Sequence, residues 1–419
     1  MAKALVKPGN VSGKVSAPPS KSYTHRAVLI SALAAGPTKV VNPLRSEDVR
    51  ATCNFIGALG GRVRDRGTHF EVEGALREPE NVVDCLNSGT TLRLATGVAG
   101  LVEGTTVLTG DASLRSRPMA PLLDAMEQLG ARTISRGGRA PVAIKGRMRG
   151  GKARITGDVS SQFLSSLLIA GAAAEKGVDI EVSGKMVSRP YLEITSEVLR
   201  HFKVEHSLAS QRFYAPGGQK PAAVDFEVPG DYSSAAFMLA AGALAGGPVE
   251  VSGLREDAQG DRAIVPHLKA FGAKVKRADG GYVASSGSLR GTHIDVGDTP
   301  DLFPILCIVA AAAKGESVIA GAKHLRAKES DRIRAVVSLL KSLGVEAQEL
   351  DDGARIAGGG IKGGTAPSLG DHRIVMSSAV AGLVSQSGVT VLDRESASVS
   401  YPEFFKDLRR LGARVDERR

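Results

Sequence analysis

One phrase recurs six times along the chain, and no other feature of the sequence restricts its fold so tightly. It reads Leu59-Gly-Gly-Arg-Val63, Leu129-Gly-Ala-Arg-Thr133, His201-Phe-Lys-Val204, Phe271-Gly-Ala-Lys-Val275, Leu343-Gly-Val-Glu-Ala347 and Leu411-Gly-Ala-Arg-Val415. The last residues stand 70, 71, 71, 72 and 68 apart, a period steady enough to describe an array of related units. Each phrase closes an amphipathic helix and opens a strand: glycine serves the helix C-terminus, and a β-type alternation such as Lys274-Val-Lys-Arg follows. We term this the outer helix. A second helix precedes it, small and apolar nearly all round, and ends at Gly36, Gly104, Gly177, Gly247, Gly315 or Gly388 before a β-branched strand. Such a helix has no face for water and is predicted to lie inside.

A unit of two helices and three or four short strands cannot cover both faces of its own sheet, so the units must cluster. The expected architecture is α/β: two similar domains, each three repeats, with inner helices buried and mixed sheets outside. The natural break is near Val228-Pro229-Gly230, after the loop-like stretch 215–221. A strand at 4–7, ahead of the first unit, could complete either half.

The chain of 419 residues is 42% hydrophobic, enough for real cores. Its longest apolar runs, 235–247 and 303–313, are too short to span a bilayer, and its start lacks an apolar signal segment. Cys53, Cys85 and Cys307 have no C-x-x-C spacing, which argues against a disulfide framework and a structural zinc. No metal or membrane is expected, and the expected compartment is a reducing cytoplasm. A formal charge of +10, from 54 basic and 44 acidic residues, favours anionic partners. With no Trp and 4% aromatics there is little to stack bases on, so a small anion is favoured over nucleic acid. A basic repeat scaffold that binds RNA is the rival of a different class.

The inner-helix starts carry the polar residues: Ser20-Lys-Ser-Tyr-Thr-His-Arg26, Asn87-Ser-Gly-Thr-Thr-Leu-Arg93, Ser160-Ser-Gln162, Asp231-Tyr-Ser-Ser234, Asp301-Leu-Phe303 and Asp371-His-Arg373. Helix starts leave N–H groups unpaired, so converging starts would make an anion site, with Ser20 expected to cap the first. Lys21, Ser22 and Arg26 add to that field, although a capped helix with a solvated basic face accounts for them equally well. Plain capping likewise accounts for Asp231, Asp301 and Asp371 taken singly. Gly89 costs stability in a helix's first turn unless something approaches the backbone there, which suggests a ligand. At an outer-helix start, Lys328-Glu-Ser-Asp-Arg332 sets two cations at (i, i+4) against the macrodipole. They suit a phosphate or carboxylate clamp with Glu329 as a proton-transfer candidate, or else a salt-bridged helix face. Arg115-Ser-Arg117-Pro118 is another cationic entrance, and Ser188-Arg-Pro-Tyr191 offers hydroxyls.

Taken in order, these motifs, with Val159-Ser-Ser-Gln162, Asp298-Thr-Pro-Asp301 and Tyr401-Pro-Glu-Phe404, resemble those of the enolpyruvyl transferases over essentially the whole chain. The resemblance implies an inside-out α/β barrel-like fold of two domains, 1–12 with 229–419 and 13–228, closing over substrates. It implies a monomer that transfers enolpyruvyl from phosphoenolpyruvate to the 5-hydroxyl of shikimate 3-phosphate, releasing phosphate without metal or cofactor. Carried over, Lys21, Ser22, Arg26, Ser160, Ser161, Gln162, Ser188, Tyr191, Asp301 and Lys328 would bind shikimate 3-phosphate. Lys21, Gly89, Arg117, Gln162, Glu329, Arg332 and Arg373 would hold phosphoenolpyruvate, with Asp301, Glu329 and Lys21 catalytic. Which carboxylate acts in which step is not legible. His324 stands where the family often has Asn, Val399 where many members have Lys, and Ser88 and Leu94 where one class has Ala and Pro. Retention of Gly89 implies inhibition by glyphosate at the phosphoenolpyruvate site. The nearest rival within the family acts on UDP-N-acetylglucosamine and carries a reactive Cys where Gly110-Asp-Ala-Ser-Leu-Arg-Ser-Arg-Pro118 has none.

Overall fold

The computed structural model describes residues 2–158 and 160–418, so Val159 of the Val-Ser-Ser-Gln motif lies outside the described residues. Among the described residues the repeat appears as six four-stranded sheets with one strand order. In each, the first strand runs parallel to the second, the second antiparallel to the fourth, and the fourth antiparallel to the third. The second repeat shows the scheme within one stretch of chain, with Val83–Asp84, Thr105–Thr109, Val142–Lys145 and Arg132–Ser135 in spatial order. Each unit thus uses four strands.

Three repeats are completed by strands from elsewhere in the chain. The first repeat takes Phe226–Glu227 alongside Thr38–Val41, and the fourth takes Val11–Ser16 alongside Gly246–Ser252. In the sixth, Lys3–Val6 lies between Val389–Leu392 and Val415–Arg418, antiparallel to both. The early strand therefore belongs to the later half of the chain. The structure accordingly divides into a unit of Met1–Pro18, Gly230–Glu256 and Gly260–Arg419, and a unit of Pro19–Pro229 with Asp257–Gln259. A boundary at 12–13 would cut the strand Val11–Ser16, whose pairing keeps it with the first of these units.

The inner helices are Lys21–Ser31, Gly89–Ala99, Ser161–Ala173, Tyr232–Leu244, Phe303–Ala312 and His372–Val384. They are buried almost all round; in Tyr232–Leu244 every residue through Ala243 is buried, as small side chains permit. Gly97 shows how close they come: a Cβ there would stand 2.5 Å from Ser166 Oγ, which accepts the Gly97 N–H at 3.0 Å and donates to the Arg93 carbonyl at 2.7 Å.

The outer helices bury one stripe. Glu47–Ala58 turns Val49, Thr52, Phe55 and Ile56 inward; Ser46 caps it and two carboxylates occupy its first turn. The turn after each outer helix uses the left-handed region at Gly60, Gly130, Gly272, Gly344 and Gly412, as the repeated phrase predicts. Lys203 takes that conformation in the third repeat, which is why its phrase lacks glycine. Among the described residues no helix is long and apolar enough to cross a membrane.

Candidate active site

Within the Pro19–Pro229 unit, three inner-helix starts are joined by side chains. Ser20 is the N-cap of Lys21–Ser31 by backbone geometry alone: its hydroxyl is buried, makes no capping bond, and has no hydrogen-bond partner among the described residues. Lys21 Nζ instead meets Asp48 Oδ2 at 2.9 Å on the neighbouring outer helix. The Asp48 carbonyl accepts from Thr91 Oγ1, which also donates to Ser88 Oγ at 2.8 Å, so Lys21 is tied to the second inner-helix start. His25 enters the same network through Thr52, whose hydroxyl lies 2.7 Å from Thr91. Burial, then the charges of Lys21 and Arg26, holds the His25 imidazole well below its ordinary pKa, hence neutral.

Arg26 is fully buried, and the groups it donates to are neutral. Nε donates to Thr195 at 2.7 Å, Nη1 to the Ser22 carbonyl at 3.0 Å, and Nη2 to the Tyr191 carbonyl at 3.0 Å and Ser165 Oγ at 3.3 Å. Burial pulls its pKa down to about 10, which leaves it cationic at neutral pH. Gln162 bridges two helix starts, donating to Thr90 at 2.8 Å and accepting from Arg93 at 2.7 Å; Ser160 caps the third helix ahead of buried Ser161. Buried Arg117 donates to Asn87 at 2.6 Å, and a Cβ on Gly89 would stand 2.7 Å from its Nη1. The glycine accommodates a guanidinium at the helix start, which is itself an anion-binding arrangement. Ser188 is buried in the left-handed region ahead of the helix Pro190–His201, which begins with Tyr191 in its first turn.

In the other unit the charged residues form one cluster. Arg332, 1% exposed, donates Nη1 to Asp301 at 2.7 Å, Nη2 to Glu329 at 2.7 Å, and Nε to Asp371 at 2.7 Å. Arg373 donates to the second oxygen of Asp301 at 2.7 Å. Burial alone would raise the Asp301 pKa, but Arg373, Arg332 and Lys328 outweigh it and hold the carboxyl well below the ordinary range. Asp301 sits in the 3-10 turn Pro300–Leu302 and accepts from both arginines, whereas Asp231 caps Ser234 N at 2.7 Å. Asp371 does both, capping at Arg373 N and accepting from Arg332. The helix carrying Arg332 begins at that residue, capped by Asp331, so Lys328 lies in the chain ahead of the helix, and the charges of both Lys328 and Arg332 act on Asp301. His324, half-buried, is brought down to about 4 by burial and then by Lys328, so it stands neutral beside this cluster.

Two residues escaped the sequence reading. Asp48 pairs with Lys21 but reads as an ordinary acid in a helix's first turn. Asp261, 3% exposed, accepts a hydrogen bond from Ser233 and faces the charges of Asp301 and Arg373. Its signal was the parallel between Gly260-Asp-Arg-Ala-Ile264 and Ser330-Asp-Arg-Ile333 in successive repeats.

Comparison with known proteins gives one answer over the full length. The family model described as EPSP synthase (3-phosphoshikimate 1-carboxyvinyltransferase) matches residues 5–408. The chain is 46% identical to 3-phosphoshikimate 1-carboxyvinyltransferase of Natronomonas pharaonis, covering 99% of each chain, and 48% identical to that of Methanothrix thermoacetophila, covering 97% of each. Its fold is similar to a solved EPSP synthase of Acinetobacter baumannii, with a TM-score of 0.83, 30% identity and 100% of both chains covered.

Proposed function

From the premise that this chain belongs to the EPSP synthase family, we propose roles for its individual side chains. The family's reaction is the transfer of enolpyruvyl from phosphoenolpyruvate to the 5-hydroxyl of shikimate 3-phosphate, with release of phosphate, in the shikimate route to aromatic amino acids. Shikimate 3-phosphate is bound by Lys21, Ser22, Arg26, Ser160, Ser161, Gln162, Ser188, Tyr191, Asp301 and Lys328. The burial of Arg26 among neutral acceptors supports this, because its charge remains for an anion to answer. Phosphoenolpyruvate is held by Lys21, Gly89, Arg117 and Gln162, and by Glu329, Arg332 and Arg373.

The observation that carries the chemistry is Arg332 holding Asp301, Glu329 and Asp371 at once. A carboxylate held as strongly ionised as Asp301 is a weak base, which supports its orienting the attacking hydroxyl through a charge-assisted hydrogen bond. Glu329 in its protonated form gives its proton to the methylene carbon as the hydroxyl oxygen bonds to the neighbouring carbon and the hydroxyl proton passes to solvent. The Glu329 carboxylate then takes a proton back from the new methyl group as the carbon–oxygen bond to phosphate breaks, and Lys21 with the arginines stabilises the departing phosphate. The chain acts as a monomer, as the resemblance implies, and three free cysteines fit a reducing cytoplasm. Glyphosate competes at the phosphoenolpyruvate subsite.

Phosphate release from phosphoenolpyruvate tests the assignment. It requires shikimate 3-phosphate, is not supported by UDP-N-acetylglucosamine, and falls by at least about 100-fold in Glu329→Gln and in Asp301→Asn. Undiminished release in either variant removes that carboxylate from the chemistry.

A further inference from the structure

Asp261 belongs to the 3-10 turn Gly260–Ala263 at the start of the fourth repeat's outer helix. Its counterpart in the fifth repeat, Asp331, caps its own helix and pairs with Arg326 at 2.9 Å, half-buried. Asp261 does neither. Its Oδ2 accepts from Ser233, while its buried Oδ1 has no hydrogen-bond partner among the described residues. A buried carboxylate with one donor is poorly compensated as an anion, so the geometry favours the uncharged acid. The charges facing it are Asp231 at the cap of the inner helix Tyr232–Leu244, Asp301 in the turn Pro300–Leu302, and Arg373 on His372–Val384. Arg262 neighbours it on its own turn. Burial and then Asp301 push its carboxyl up to about 7, against the pull of Arg373 and the Ser233 hydrogen bond.

We propose that Asp261 is a positioning residue for the phosphoenolpyruvate half of the reaction: as the acid it leaves the positive charge of Arg373 to the substrate, and as the carboxylate it competes for that charge. The inference rests on the assignment of phosphoenolpyruvate to Arg332 and Arg373. Substrate binding then weakens as pH rises through neutrality, an effect on KM for phosphoenolpyruvate more than on kcat. Asp261→Asn keeps the shape of the acid and removes the titration.

The experiment is steady-state phosphate release by the full chain at saturating shikimate 3-phosphate, with phosphoenolpyruvate varied between about pH 5.5 and about pH 8.5. The phosphate of phosphoenolpyruvate titrates identically in both assays, so the difference between proteins is what counts. The KM of the native chain is expected to exceed that of Asp261→Asn by at least about fivefold at the alkaline end, and the two converge at the acid end. Superimposable KM profiles, or a variant whose KM is raised mainly at acid pH, would overturn the proposal. Ser233→Ala supplies a second reading: losing the hydrogen bond that favours the carboxylate moves the KM rise to higher pH, and a rise that stays in place also counts against the idea. Arg373→Gln separates the two layers. If it leaves KM for phosphoenolpyruvate unmoved, the substrate assignment itself fails; if KM rises in Arg373→Gln while Asp261→Asn tracks the native chain, only the role of Asp261 fails.

Discussion

Replacing Arg332 with Met leaves Asp301, Glu329 and Asp371 without the guanidinium that each touches at 2.7 Å. Counted as separate charge-assisted bonds at about 1.5–3 kcal/mol each, the three contacts would sum to roughly 5–9 kcal/mol. Protonation caps that figure. Neutralising one carboxyl of ordinary pKa costs about 4 kcal/mol at about pH 7 and about 1.4 kcal/mol at about pH 5. Arg373 still holds Asp301, so one proton relieves most of the repulsion. The expected loss is therefore about 4 kcal/mol at about pH 7, in line with breaking a buried pair, narrowing to about 1–2 kcal/mol at about pH 5. In the native chain Asp301 has a depressed pKa, so its stabilisation is present above the unfolded pKa and is lost only as pH falls below that value. Asp261 has a raised pKa and destabilises as pH rises through about 7, but it does so in both proteins. The narrowing thus belongs to the variant. Calorimetry of the two chains at both pH values, following the transition of the unit that holds Arg332, provides the assay. A loss below about 1 kcal/mol at about pH 7, or one equal at both pH values as a simple packing defect would give, refutes the reasoning.

Gly97→Ala gains helix propensity but sets a methyl 2.5 Å from Ser166 Oγ and 2.7 Å from the Ser166 carbonyl, so a net loss of about 1–2 kcal/mol is expected by thermal unfolding. An unchanged or higher melting temperature would contradict that close approach. Burial pushes the thiols of Cys53 and Cys85 up to about 12 and raises that of Cys307, so iodoacetamide at neutral pH should leave phosphate release intact. Loss of activity in a chain that remains folded would assign one of them a function. Arg26→Gln should raise KM for shikimate 3-phosphate and leave KM for phosphoenolpyruvate nearly unmoved, as measured in the same assay.

The repeat was legible because it is written in local chemistry: an apolar stripe, a glycine at the left-handed turn, then an alternating strand. The borrowed strands were not, because Lys3 faces Leu392 and Arg418 across almost the whole chain and no periodicity reports a partner so distant. Helical spacing was also silent about where the helix starts. Asp331 caps the helix that begins at Arg332, so Lys328 lies in the chain ahead of it. The residue types of the site could be read at the helix starts, yet their pairings could not. Arg26 reaches Thr195 and Ser165, and Asp261 faces groups contributed by two further repeats. Such contacts are properties of packing between units, and single motifs are silent about them.

The strand Lys3–Val6, held between Val389–Leu392 and Val415–Arg418, also orders events during synthesis. The stretch 19–229 carries nearly all of its own unit and can fold while the ribosome is still translating the remainder. The strand Lys3–Val6 must wait for Val415–Arg418, which is translated far later. Until residues 415–418 emerge, its edge is open to the wrong partner, and a chain stalled late in translation is the species most exposed to aggregation.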